Sequence, residues 1–284
     1  MSTYNGEKYI KRQIETLLNQ KDVDIHVLIR DDGSKDNTVK IIKNFSSDRI
    51  ELIEGTNIGF AQSFWTLLKI DNDYDYYAFC DQDDIWHEDK LISAINKLSS
   101  ADCPALYTSD VIAVDSDENI IKKNAFGFSG VLNYYDSLLY SVLPGCTFVF
   151  NKKLKEKLAL YDGFMISHDW TTYIVANIVG KVFFDPIPHI NYRIHSNNSI
   201  GVDTSLGMLI KKINRFIKPK ETNTRSRVAS NILKYYESYL KGNTKKTTHL
   251  LAECPRNKKS TLELLKLRDF RKIDIIIALV FRRV

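Results

Sequence analysis

The chain predicts an α/β fold, built on a mainly parallel sheet flanked by helices and followed by a helical appendage. Three observations carry that prediction. Short apolar strands alternate with amphipathic helices through the first hundred residues. Two of those strands end in clustered carboxylates, Asp31-Asp32 and Asp81-Gln82-Asp83-Asp84. Charge is divided unevenly: residues 1–204 carry 20 Lys+Arg against 29 Asp+Glu, and residues 205–284 carry 20 against 6. We therefore read residues 1–204 as one acidic domain and residues 205–284 as a basic helical segment.

The elements follow in order. Thr3-Tyr4-Asn5-Gly6 reads as a turn. Glu7 to Gln20 reads as a helix whose Ile10, Ile14, Leu17 and Leu18 share one face. Asp24 to Arg30 is a strand running into Asp31-Asp32-Gly33-Ser34, and Ser34 or Asp36 caps a helix over Thr38 to Phe45. Ile50 to Ile53 is a strand, Asn57-Ile58-Gly59 a turn, and Phe60 to Ile70 a helix. Tyr76 to Cys80 is the next strand, and Lys90 to Ser99 a helix. Ala105 to Ser109 and Val111 to Val114 are short strands, and 124–135 reads as a loop. Pro144-Gly145-Cys146-Thr147 precedes the apolar run Phe148-Val149-Phe150. Ile166 to Val179 is an apolar helix, and strands at Val182 to Phe184 and Ile190 to Ile194 close the acidic domain. Met208 to Lys220 is a basic amphipathic helix, Arg225 to Lys241 a second helix, and Ser260 to Val284 a helical tail.

Composition excludes several classes. The four cysteines, Cys80, Cys103, Cys146 and Cys254, have no zinc spacing and no disulfide-framework pattern, which fits a reduced compartment. No apolar run reaches the length of a membrane span, and no leader is expected. Nucleic acid is not an expected partner, because no recognition motif accompanies the basic tail.

In a parallel sheet the carboxyl ends of the strands open on one edge, where ligands bind. Both acidic strand ends then line one crevice. Clustered carboxylates suit a hard divalent cation, Mg²⁺ or Mn²⁺, together with a substrate diphosphate. The competing reading is an acidic turn that caps the next helix.

The motifs taken together carry a resemblance. Thr3-Tyr4-Asn5-Gly6-Glu7-Lys8-Tyr9-Ile10, Asp31-Asp32-Gly33-Ser34-Lys35-Asp36, Asn57-Ile58-Gly59 and Asp81-Gln82-Asp83-Asp84-Ile85-Trp86 resemble family 2 glycosyltransferases with the GT-A fold. His168-Asp169-Trp170 and Tyr192-Arg193-Ile194-His195-Ser196-Asn197-Asn198 look like the bacterial rhamnosyltransferase-type branch. The match spans about residues 1–204, and the basic tail carries no matching motif.

The resemblance implies an inverting transfer of rhamnose or another hexose from a nucleotide-diphosphate donor to a surface glycan or lipid-linked acceptor. It implies that Thr3, Tyr4, Asn5, Asp31, Asp32, Asp81, Gln82 and Asp83 hold the donor. Asp31 would accept from the pyrimidine NH. Asp83 would ligate the metal, with Asp81 acting through water or on the ribose, and His195 would complete the shell or touch the diphosphate. Arg193 would pair with phosphate oxygens or with the acidic body. Asp169 would be the general base, with a plain helix cap as its alternative. Gly145, Cys146, Thr147, His168 and Trp170 would lie on the acceptor side.

In this family a hydrophobic first strand precedes the Thr-Tyr-Asn turn, and here only Met1 and Ser2 do so. Two expectations follow: a sequence that begins past its true start or is a fragment, or a fold with a truncated first strand and exposed neighbouring edges. A non-catalytic nucleotide-sugar or glycan-binding scaffold is the alternative function. The basic tail predicts an anionic membrane surface as a partner, hence a cytoplasmic location peripheral to the inner face of the cell membrane.

Overall fold

The computed structural model describes residues 1–128, 132–140, 143–195, 223–254 and 256–267. In chain order the elements are β1 (Ser2–Thr3), α1 (Ile10–Leu18), β2 (Val27–Asp31), α2 (Thr38–Lys43), β3 (Ile50–Glu54), α3 (Phe60–Lys69), β4 (Tyr76–Ala78) and β5 (Ile85–Trp86). There follow α4 (Lys90–Leu98), β6 (Ala105–Ser109), β7 (Ile112–Val114), β8 (Ile120–Lys122), α5 (Tyr134–Leu139), β9 (Val149–Asn151), α6 (Lys152–Ala159), α7 (His168–Val179), β10 (Lys181–Asp185) and β11 (Ile190–Arg193). Helices Thr224–Tyr236, Gly242–Glu253 and Lys258–Lys266 complete the described chain.

Two compact units emerge. One comprises Met1–Leu132, Ser141–Leu160 and Met165–Ser199; the other comprises Asn133–Tyr140, Tyr161–Phe164 and Ile200–Val284. In the first unit β1-β2-β3 form one sheet, β10-β6-β9-β4 a second and β5-β11-β7-β8 a third. The periodic apolar residues do what their spacing requires. Ile10, Ile14 and Leu17 of α1 are buried against Val27 and Ile29 of β2.

The pairing is mixed rather than mainly parallel. β1–β2, β2–β3, β10–β6 and β11–β7 are parallel. β9 runs antiparallel to both β4 and β6, β5 runs antiparallel to β11, and β7 and β8 are antiparallel. β9 is entered from a 3₁₀ segment, Gly145–Thr147, and runs against both of its neighbours. β8, with all three of its residues exposed, is a strand for which the sequence predicts no element.

β1 is two residues long, placing Ser2 opposite Arg30 and Thr3 opposite Asp31. A cleft of about 850 Å³ lies nearby, lined by Met1, Val27 and Leu28 on one side and by Tyr76, Tyr77 and Ala78 on the other. Phe64, Leu68 and Trp86 also line it, so its walls are largely apolar.

In the second unit Tyr161 packs its ring against Tyr235 and Tyr236, and the Tyr134 and Thr248 hydroxyls share a hydrogen bond of 2.6 Å. The helix expected from Arg225 to Lys241 is observed at Thr224–Tyr236, followed by a 3₁₀ turn at Glu237–Tyr239. The expected helix from Met208 to Lys220 lies outside the described residues, as do Ser196-Asn197-Asn198 and the tail beyond residue 267. Among the described residues no helix is long and apolar enough to cross a membrane.

Candidate active site

Three strand ends build the site. β1 delivers the turn Thr3-Tyr4-Asn5-Gly6, β2 delivers Asp31-Asp32-Gly33-Ser34, and β4 runs on into Asp81-Gln82-Asp83-Asp84. The turn is strapped to both acidic ends. The Tyr4 main-chain N–H donates to Gln82 Oε1 at 2.9 Å, and Gln82 Nε2 donates back to the Tyr4 carbonyl at 3.2 Å. Asn5, in the left-handed region at φ 49, donates its N–H to Ser34 Oγ and accepts from the Lys35 N–H.

Asp31 is buried and committed to the fold. Its carboxylate accepts from the N–H groups of Gly33 and Ser34 and from the hydroxyls of Thr3 and Ser34. A carboxylate has about four acceptor positions, so these four donors leave no place for the expected pyrimidine NH. Asp32 is likewise buried. It pairs with Arg30 and accepts from the N–H groups of Ile58 and Gly59. Both carboxylates are spent on holding the loops around them instead of facing the open edge. Gln82 also spends its amide on the main chain of Tyr4. Tyr4 itself is 42% exposed and stands clear.

Asp83 Oδ2 lies 2.8 Å from His195 Nε2, so the two residues expected to share a metal shell meet directly. The His195 ring stacks on Tyr9 at 5.3 Å. Asp81 is half-buried, and its carboxyl is pushed up to about 7, chiefly by burial and then by the charges of Asp83 and Asp169. Asp84 is fully interior, and its carboxyl is held well above the usual range by burial and then by the charges of Asp83 and Asp81. Asp81, Asp84 and Cys146 bring ligand atoms within 4.8 Å of one another. Burial pushes the Cys146 thiol well above its ordinary range. A neutral thiol is a poor partner for a hard cation, so this trio does not suit Mg²⁺ or Mn²⁺. The carboxylates of Asp81 and Asp83 and the imidazole of His195 are ligand types that fit such a cation, and of these Asp83 and His195 are in direct contact.

Arg193 departs from the expected phosphate contact. It is 2% exposed. Nε donates to the Asp83 carbonyl at 2.9 Å, Nη1 to the Ser116 carbonyl at 2.8 Å, and Nη2 pairs with Glu118 at 3.3 Å. Its guanidinium lies 4.7 Å from the Tyr9 ring centre. Of the two readings its position allowed, pairing with the acidic body is the one the geometry gives.

Asp169 sits in the first turn of α7, half-buried, its Oδ1 accepting from the N–H of Trp170 at 2.6 Å. Gly145 packs onto it. A Cβ there would lie 2.9 Å from both Asp169 Cβ and His168 Nε2, so only glycine permits this approach. The rest of the expected acceptor side turns inward. Cys146 and Thr147 are buried, with Thr147 Oγ1 2.7 Å from Thr108 Oγ1. Trp170 and His168 are buried too. His168 stacks on Phe64 at 3.9 Å, meets Phe79 edge-on at 4.7 Å, and has no hydrogen-bond partner on either ring nitrogen. These four residues carry the walls behind Asp169.

Burial pushes the His168 imidazole down to about 4. Below its ordinary value near 6.5 the unfolded chain takes up a proton that the folded chain refuses until about pH 4. Stability contributed by neutral His168 is therefore complete above pH 6.5 and lost as pH falls through that window. The expected loss is about 3 kcal/mol. Urea midpoints measured from pH 7 to pH 4 should fall less steeply in His168→Phe, which keeps the aromatic packing. An unchanged slope would remove His168 as the cause.

Sequence reasoning passed over Tyr9, which carries both His195 and Arg193, and Lys90. Lys90 is wholly buried, with Nζ 3.6 Å from the Trp86 ring centre, and burial lowers it to about 8. Its place at a predicted helix start gave no sign of this.

The fold is of the GT-A type. The profile of the glycosyl transferase family 2 matches residues 1–158, and the chain belongs to that family. It is 34% identical over 233 residues to the dTDP-rhamnosyl transferase RfbG of Shigella flexneri, covering 75% of this chain and 78% of that protein. It is 26% identical over 230 residues to the chondroitin synthase of Escherichia coli, covering 78% of this chain but 32% of that protein. Among solved structures, TarS 1–349 of S. aureus in complex with UDP superposes with a TM-score of 0.56 at 14% identity, covering 99% of this chain and 87% of that one.

Proposed function

We propose that the chain moves a sugar, rhamnose or another hexose, from a nucleotide-diphosphate donor to a glycan or lipid-linked acceptor with inversion at the anomeric carbon. The observation that carries this reading is the direct contact of Asp83 Oδ2 with His195 Nε2 at 2.8 Å, beside Asp81, whose carboxyl is pushed up to about 7 by burial and then by the charges of Asp83 and Asp169. The similarity to a dTDP-rhamnosyl transferase and to TarS, solved in complex with UDP, supports a nucleotide-linked donor.

In this reading the Thr3-Tyr4-Asn5 turn receives the nucleoside, with Tyr4 offering its exposed ring. Asp83, Asp81 and His195 hold Mg²⁺ or Mn²⁺. When bound, the cation offsets the charge of the departing diphosphate. Asp169 removes the proton from the acceptor hydroxyl as that oxygen attacks the anomeric carbon from the face opposite the leaving group. No covalent intermediate is needed, and Cys146 takes no part. Residues 1–204 form the catalytic part. The basic segment 205–284, with 20 Lys+Arg against 6 Asp+Glu, rests on an anionic membrane at its cytoplasmic face.

The test is release of nucleoside diphosphate from UDP-, dTDP- and GDP-sugars, with and without Mn²⁺ or Mg²⁺. One donor should turn over only with metal. Asp83→Ala should raise the metal concentration for half-maximal turnover by about a hundredfold. Metal-independent turnover, or none with any donor together with no nucleotide binding, would sink the assignment.

A further inference from the structure

Two large apolar side chains stand in the open beside this site. Phe60 is 51% exposed and Ile58 is 45% exposed. Folding does not call for them there. α3 buries Phe64, Trp65, Leu67 and Leu68 on its inner face, and Phe60 adds little to that core. An exposed aromatic at this position forgoes the stabilisation that burial would bring.

The main chain presenting them is nonetheless tightly held. Asp32 accepts from the N–H groups of Ile58 and Gly59, at 3.0 Å and 2.9 Å. Arg30, its partner, donates Nη2 to the Thr56 carbonyl at 2.9 Å. Gly59 takes φ 84 and ψ 149, a conformation essentially confined to glycine. A buried ion pair and a glycine-only turn thus fix two exposed apolar side chains, an arrangement suited to receiving a ligand without reorganisation.

Position says which ligand. The Phe60 ring meets His168 edge-on at 6.2 Å, and the next residue is Asp169. The nucleotide side, with Tyr4, Asp83 and His195, is built from other loops. Sugars carry apolar C–H faces as well as hydroxyls, and aromatic rings receive those faces. A hexose that offers one hydroxyl to Asp169 has a ring face free to lie on Phe60.

Resting on the transferase reading above, we propose that Phe60, flanked by Ile58, is the platform for the acceptor's terminal hexose and determines which of its hydroxyls reaches Asp169.

The experiment uses the full chain and four probe acceptors: the methyl glycosides of glucose, galactose, N-acetylglucosamine and rhamnose. Transfer is read by mass spectrometry, and metal-dependent donor hydrolysis is followed in parallel without acceptor. Phe60→Ala should raise the acceptor KM about tenfold and leave the donor KM of hydrolysis unchanged. Phe60→Tyr should restore the acceptor KM. The proposal is overturned if Phe60→Ala shifts the donor KM and spares the acceptor KM, if it shifts neither, or if none of the four probes is accepted while hydrolysis proceeds. Wild-type hydrolysis separates the two levels. Its presence with Phe60-independent acceptor kinetics removes the platform alone, and its absence removes the transferase reading.

Discussion

Asp169→Asn should lower the rate of sugar transfer about a thousandfold, with the donor KM and the metal requirement nearly unchanged. Removal of a positioned general base costs between about 10² and 10⁴ in rate. Asparagine keeps the shape and still offers an oxygen to the Trp170 N–H, which Asp169 now holds at 2.6 Å. The first turn of α7 should therefore survive. The alternative role, a helix cap, makes the opposite prediction: the rate would change little, and stability would hold too, because asparagine caps a helix as well as aspartate does. The charge lost should also be felt at Asp81, whose carboxyl is raised partly by Asp169. Metal binding should then be equal or tighter in the variant. A variant that binds metal and donor normally but transfers slowly assigns Asp169 to the chemistry. One that loses donor affinity in step with rate assigns it to the scaffold.

What the sequence made legible was order, spacing and edge. The apolar spacing of Ile10, Ile14 and Leu17 found the buried face of α1, because a helix repeats its direction every three to four residues. The two acidic strand ends found the edge, because the carboxyl ends of parallel strands open on one side of a sheet. Direction of single side chains was not legible. Asp31 and Asp83 sit in similar acidic runs, yet Asp31 is enclosed by four donors and Asp83 meets only His195 among the hydrogen bonds given to its carboxylate. His168, next to Asp169, points into an aromatic cage built by Phe64 and Phe79 from distant segments. Nothing local to a residue states which partners a distant loop will bring to it. The antiparallel direction of β9 was hidden for a related reason: its apolar run reads alike in either direction, and its partners β4 and β6 lie far away in sequence.

Arg193 puts that difference to its hardest test, because its two readings separate cleanly. Arg193→Met should destabilise the fold by about 4 kcal/mol, the range for breaking a buried charge arrangement by removing one partner. The guanidinium bonds to the carbonyls of Asp83 and Ser116 and pairs with Glu118, and methionine satisfies none of them. Glu118 keeps a bond to Arg12 at 3.4 Å, so the loss falls mainly on the two carbonyls and on the stacking over Tyr9. Chemical denaturation should show the midpoint fall with little change in slope. The catalytic consequence is indirect. Freed from Nε, the main chain at Asp83 no longer fixes its carboxylate against His195, and the metal concentration for half-maximal turnover should rise with the donor KM secondary to it. A phosphate-binding Arg193 would behave otherwise: its loss would raise the donor KM at saturating metal and leave the denaturation midpoint in place. Arg193→Lys adds a second discrimination. Lysine restores a charge but not the planar fork that reaches separate carbonyls at once. It should recover a phosphate contact in large part, and a structural clamp hardly at all.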